Sequence, residues 1–147
     1  MCGRFGLFVT PEVLEEYFAL DDLVAAVEPR YNLTPGRAVA VVRERDGKRN
    51  LGALQWGLIP FWAKDATIGR KLVNARLDSL AEKPAYREAW QRRRCLIPAS
   101  GFYEGTSPSA GRKRPYFNRP GSEPVLAPAG LWERWRTAAG AAPATRG

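Results

Sequence analysis

The second residue is a cysteine, and that position offers two nucleophiles on one side chain and its own backbone. An initiator methionine is removed when its neighbour is small, so loss of Met1 leaves Cys2 with a free α-amine beside its thiol. N-terminal amines and cysteine thiols as classes titrate at about 8 and about 8.5, so both are partly nucleophilic at neutral pH. Such a 1,2-aminothiol condenses with an aldehyde to an imine, and the sulfur then closes a thiazolidine ring that resists hydrolysis better than the imine. Position alone also suits a cysteine that merely follows the initiator.

The remaining composition narrows the chemistry. The chain has no histidine, which removes Ser-His-Asp and Cys-His catalysis in their usual forms. With two cysteines and no histidine, a structural zinc site is not expected. Cys95 sits in Arg94-Cys95-Leu96-Ile97, which reads as a buried strand where a thiol is inert packing. A disulfide is not expected in a reducing cytosol. The net charge of +8 points to a polyanionic partner. Hydrophobic residues at 45% and charged residues at 26% describe one soluble domain. No run approaches the roughly 20 apolar residues that span a bilayer, and no signal pattern opens the chain, so a cytoplasmic location is expected.

Elements that could position Cys2 follow from local pattern. Thr10-Pro11 predicts a helix start with Thr10 as cap, and Val13, Leu14, Tyr17 and Phe18 place one face of residues 11–19 on a core. Tyr31 to Gly36 ends as a Pro-Gly turn. Ala38–Val42 and Leu51–Ile59 read as strands joined by an Asp46-Gly47 hairpin. Residues 60–70 read as a loop, Leu72–Leu77 as an extended segment, and Ser79 with Glu82 as a capping box cut short by Pro84. A helix restarting near Pro84 carries Tyr86, Ala89 and Trp90 on one face, and Arg92-Arg93-Arg94 reads as its solvated end. Strands are predicted at Cys95–Ala99, Phe102–Glu104, around Tyr116 and between Val125 and Trp132. The class is α+β: a single strand-rich domain over residues 2–136 with hairpins and a few short helices. Residues 137–147, rich in Ala and Gly, read as a disordered tail.

Several ordered blocks resemble one family. Met1-Cys2-Gly3-Arg4-Phe5, Arg30-Tyr31-Asn32-Leu33-Thr34-Pro35-Gly36 and Gln55 to Trp62 come first. Asn74-Ala75-Arg76-Leu77-Asp78-Ser79, Cys95 to Ala99, Gly101-Phe102-Tyr103-Glu104 and Gly130-Leu131-Trp132-Glu133 follow. Together they resemble the SOS-response-associated peptidase family, whose members crosslink to abasic sites in single-stranded DNA. The resemblance implies three catalytic positions: Cys2 as nucleophile and source of the amine, Asn74 holding the N-terminus or the opened sugar, and Glu104 relaying protons. Alone, Asn74 reads as a turn residue and Glu104 as a surface residue.

By the same resemblance Arg4, Asn32, Pro35, Trp62 and Arg76 contact DNA: the two arginines grip phosphates through forked hydrogen bonds, and Trp62 stacks on or wedges between bases. The implied function is covalent capture of abasic sites in single-stranded DNA during the SOS response, by a monomer without cofactor. Self-removal of the leader before Cys2 and an imine-based lyase step are implied with it. The family's downstream histidine block has no counterpart, so the chain is read as truncated at its C-terminal end. A non-covalent single-strand DNA-binding remnant and an inert fragment stay open as alternatives.

Overall fold

A computed structural model describes residues 2–106, 114–136 and 144–146. Its two sheets bear out the strand-rich α+β reading. The first sheet has β1 (Phe5–Leu7) between β3 (Arg30–Leu33) and β7 (Gly101–Thr106), with β8 (Arg114–Asn118) outside β7. The second runs β10 (Ala144–Arg146), β9 (Ala129–Arg134), β6 (Arg94–Leu96), β4 (Ala38–Arg45), β5 (Lys48–Trp56) and β2 (Asp22–Leu23). Strand β10 also pairs in parallel with β5, closing the sheet on itself. It falls within the stretch read as a disordered tail, most of which lies outside the described residues.

The hairpin of β4 and β5 is the best-specified element. Arg45 pairs with Lys48 across Asp46-Gly47, whose φ values of 54° and 75° are those of a primed two-residue turn. Both strands run further toward the turn than their apolar residues predict, because ladder bonds continue through Glu44 and Arg49 once the turn has set the register. Helix α1 (Pro11–Phe18) buries Leu14 and Phe18. Thr10 holds the cap position in extended conformation but makes no side-chain cap bond. Its hydroxyl serves the Glu12 carboxylate instead, holding that group below the ordinary glutamate range.

The main core lies between the sheets and under α1, uniting Phe5, Leu33, Leu14, Phe18, Val39 and Trp56. A second cluster joins Leu58, Leu80 and Leu131 to Tyr86 and Ala89, the latter on α2 (Arg87–Arg92). The predicted extended segment at Leu72–Leu77 is irregular chain leading into a 3₁₀ turn at Leu77–Ser79. The capping-box pattern begins no α-helix there: Glu82 and Lys83 donate to the Ser79 carbonyl, and the turn stops before Pro84. The arginine run is not uniformly solvated either. Arg93 forms ion pairs with Glu88 at 3.0 Å and with buried Glu133 at 2.9 Å, tying α2 to β9.

Trp56 ends β5 at Gly57, which adopts φ +125°. A Cβ there would stand 2.6 Å from the Gly69 carbonyl oxygen. This close approach turns the chain into buried Leu58–Pro60, and Leu58 N–H then donates to the Leu72 carbonyl. No helix among the described residues is long and apolar enough to cross a membrane. Gly57→Ala should cost about 1–3 kcal/mol or more, since it adds a backbone clash to an unfavourable φ. Urea denaturation measures this, and an unchanged midpoint would refute the close-approach account.

Candidate functional site

Cys2 precedes β1, whose register with β3 and β7 fixes where the chain starts. Phe5 pairs with Leu33 on one side and Phe102 on the other. Tyr103 N–H donates to the Arg4 carbonyl at 2.9 Å, carrying the β7 ladder one residue past the strand's end. The same carbonyl accepts the Cys2 thiol at 3.4 Å. Cys2 is half-buried, at the wall of a cavity of about 520 Å³.

Asn74 meets it from the other sheet's side. Its Nδ2 donates to the Cys2 carbonyl oxygen at 2.7 Å, a contact spanning 72 positions of sequence. Asn74 lies in irregular chain, so something other than secondary structure must hold it. Two buried aromatic side chains do. Trp56 Nε1 donates to the Val73 carbonyl at 2.8 Å, and the Tyr86 hydroxyl donates to the Asn74 carbonyl at 3.2 Å. Each bond satisfies a backbone acceptor that a strand would otherwise have satisfied. Neither aromatic stood out in the sequence as part of a site. A tryptophan or tyrosine at an apolar position is a signal in retrospect, because its polar tip needs a partner when the ring is buried.

Continuing the β1–β7 register from Phe5 and Phe102 places Glu104 opposite Gly3. Alternation along β7 puts Glu104 on the face that carries Phe102, which lines the cavity. Glu104 is exposed and stands beyond the lining residues, opposite Tyr116 of β8. The cavity walls are mainly apolar, with Val39, Ile97, Leu80, Leu131 and Trp90 among them. Arg94 stands at the lining with its guanidinium carbon 5.9 Å from the Trp90 ring centroid. From the sequence this arginine reads as part of the helix's solvated end, whereas it opens β6 beside the cavity.

The other sequence-predicted residues are spread around this centre. Arg4 is exposed two residues from Cys2. Arg76 is exposed, two residues past Asn74, and its guanidinium is engaged by Asp78, with Nη2 to Oδ2 at 2.7 Å and Nε to Oδ1 at 3.2 Å. That fork holds the Asp78 carboxyl below the ordinary aspartate range. Trp62 is 48% exposed beside Phe61, itself 52% exposed, and lines a separate hollow with Lys64 and Lys71. Asn32 is exposed in β3. Pro35 is exposed in the turn whose Gly36 N–H donates to the Trp56 carbonyl. None of these three lines the Cys2 cavity. Cys95 is buried in β6 as a thiol. Among the described residues no cluster of metal-ligating side chains exists.

Burial holds Tyr86 protonated above the ordinary tyrosine value of 10.0. The folded state therefore keeps this proton more tightly than the unfolded chain, so its stabilisation is complete below pH 10 and is lost as pH rises through the folded value. Tyr86→Phe removes both the bond to Asn74 and that alkaline sensitivity. Stability at neutral pH should fall by about 0.5–1.5 kcal/mol, while the decline on moving to strongly alkaline buffer becomes shallower. Identical alkaline limbs for the two proteins would count against a buried, bonded hydroxyl.

Residues 1–146 match the SOS response associated peptidase (SRAP) family. The abasic site processing protein YoqW of Bacillus subtilis is 40% identical over 142 residues, covering 95% of this chain and 63% of that protein. The abasic site processing protein YoaM of the same organism is 39% identical over 139 residues, covering 93% and 61%. The chain thus spans less than two thirds of the length of these relatives. A crystal structure of a Bacteroides thetaiotaomicron protein superposes with a TM-score of 0.83 at 23% identity, over 99% of this chain and 65% of that one, and shares the fold.

Proposed function

This chain belongs to the SOS response associated peptidase family, and on that premise we propose that it processes abasic sites by covalent capture at Cys2. The observation that carries the reading is the 2.7 Å bond from Asn74 Nδ2 to the Cys2 carbonyl. It fixes the backbone of the one residue whose amine and thiol must reach the same carbon.

With Met1 removed, the α-amine attacks the aldehyde carbon of the ring-opened sugar and expels water, giving an imine. The thiol then adds to the imine carbon, its proton passes to nitrogen, and a five-membered thiazolidine results, with one water lost overall. Glu104, on the cavity face of β7, is the carboxylate that moves protons during carbinolamine dehydration. Apolar walls behind Cys2 keep bulk water from the imine until sulfur closes the ring. Lyase action follows from the same imine: removal of a proton from the adjacent sugar carbon expels the 3′ phosphate. Peptidase action is removal of the residue ahead of Cys2.

The substrate is single-stranded DNA carrying the lesion, bound by a monomer without a cofactor. Arg4 and Arg76 hold phosphates, Trp62 stacks on a base, and Asn32 and Pro35 line the approach of the strand. The +8 charge supports this partner, as does the exposure of all five residues. The corresponding place of action is the cytoplasm, on the nucleoid.

Incubation of purified protein with a single-stranded oligonucleotide bearing one abasic site should give a heat-stable covalent adduct whose mass equals the sum less one water. Cys2→Ala should give none, and retention of Met1 by mass analysis should abolish it too. Equal adduct yields from wild type and Cys2→Ala would defeat the reading. Arg76→Gln removes one phosphate contact, so binding should weaken and the slope of log affinity against log salt should become shallower by about 0.7. An unaltered slope would remove Arg76 from the contact surface.

A further inference from the structure

The sheet that carries β1 has a second face, turned away from the core, and its composition is unusual. Gly6 pairs with Gly101 at its centre. A Cβ on Gly6 would meet the Phe8 ring at 3.3 Å, and one on Gly101 would meet the Phe117 ring at 2.6 Å. The missing side chains thus let two aromatic rings lie close over the backbone. Phe8 stacks on Tyr31 with centroids 5.0 Å apart and 19° between planes. It also meets Phe117 at 6.0 Å, and Phe117 meets Tyr103 at 4.7 Å. The Tyr103 hydroxyl reaches across β1 to the Tyr31 carbonyl at 3.0 Å, bracing the two ends of this aromatic row.

Cross-strand aromatic pairs covering glycines stabilise a sheet, and that accounts for Phe8 and Phe117. It does not account for Tyr31, which is 65% exposed with one ring face already stacked. Nor does it account for the cations at the margins. Arg119 stands with its guanidinium carbon 6.0 Å from the Phe8 centroid. Arg4 lies directly opposite Tyr103 by the β1–β7 register, so its side chain leaves the sheet on this same face.

We propose that this outer face, from Tyr103 to Tyr31, is a stacking platform for undamaged single-stranded nucleic acid flanking the captured position. The partner follows from the chemistry. Flat rings braced in place accept bases of any sequence, and arginines beside them accept phosphates. The platform adjoins the reactive residue: Arg4 is two residues, roughly 7 Å of extended chain, from Cys2. A strand whose sugar sits at Cys2 passes Arg4 and continues over Tyr103 and the rings beyond. The placement rests on the capture reading above, but the binding itself does not require it.

Fluorescence anisotropy with a dye-labelled thymidine oligonucleotide lacking any lesion tests the platform. Tyr31→Ala should weaken binding roughly 5- to 150-fold, the loss of about one stacked base. Tyr31→Phe, which keeps the ring, should bind like wild type. Arg119→Gln should reduce the salt slope by about 0.7. Equal affinities for wild type and Tyr31→Ala overturn the proposal. If Tyr31→Ala loses its cooperative melt, Arg119→Gln decides, and an unchanged salt slope overturns it. Loss of a wild-type dimer in Tyr31→Ala with DNA affinity intact would assign the face to a second copy of the chain and also overturn it. Crosslinking to an abasic oligonucleotide, run alongside, separates the two readings. Absent crosslinking with weakened Tyr31→Ala binding removes capture and keeps the platform; the reverse pattern removes the platform alone.

Discussion

The bond from Asn74 to the Cys2 carbonyl joins two parts of the chain that no regular element brings together. Strand β1 sets the position of Cys2 from one side, held between β3 and β7. Asn74 arrives from irregular chain, and its place depends on donors that reach it from β5 and from the approach to α2. Irregular backbone near a core is costly when its carbonyls lack partners, at roughly 1–3 kcal/mol for each one left unsatisfied. Trp56 and Tyr86 meet that demand for two adjacent residues. Core packing and site geometry are therefore one problem here, because the same rings that fill the two hydrophobic clusters also hold the asparagine.

Trp56 carries the most of this burden. Its ring packs on Phe5 at 5.3 Å, so it touches the strand that leads to Cys2. Its indole N–H holds Val73, beside Asn74. Its backbone accepts from Gly36 and donates to Arg37, anchoring the turn that contains Pro35. Gly57 follows at once and reverses the chain against Gly69. One residue thus links three of the sequence blocks that carry the family resemblance, and the next residue must lack a side chain for the arrangement to close.

The sequence made some of this legible and hid the rest for physical reasons. The Asp46-Gly47 hairpin was readable because a primed turn needs two positive φ values and few dipeptides accept them. Helix α1 was readable from its Pro start and apolar spacing, whereas the role of Thr10 was not, since its hydroxyl had a rival partner in Glu12. The segment at 72–77 was misread as extended because alternation cannot reveal which side chains from elsewhere will satisfy its backbone. Strand β1 was not predicted: three residues with no alternating pattern become a central strand only when neighbours on both sides supply the ladder. Cys2, Asn74 and Glu104 came from the ordered family blocks. Trp56 lay within such a block without standing out and Tyr86 lay outside them, because each acts through a ring whose polar end finds its partner only in the fold.

The central position of β1 has a mechanical meaning. A tether attached at residue 2 and pulled along the strand would load the hydrogen bonds to β3 and β7 together, in shear, instead of peeling them one at a time from an edge. Both neighbours run antiparallel to β1, so resistance is shared on two sides. The Asn74 bond stands ahead of that ladder and meets the load first. An attachment point at the start of an interior strand is thus suited to bearing tension, which an attachment on a free tail or an edge strand would not be.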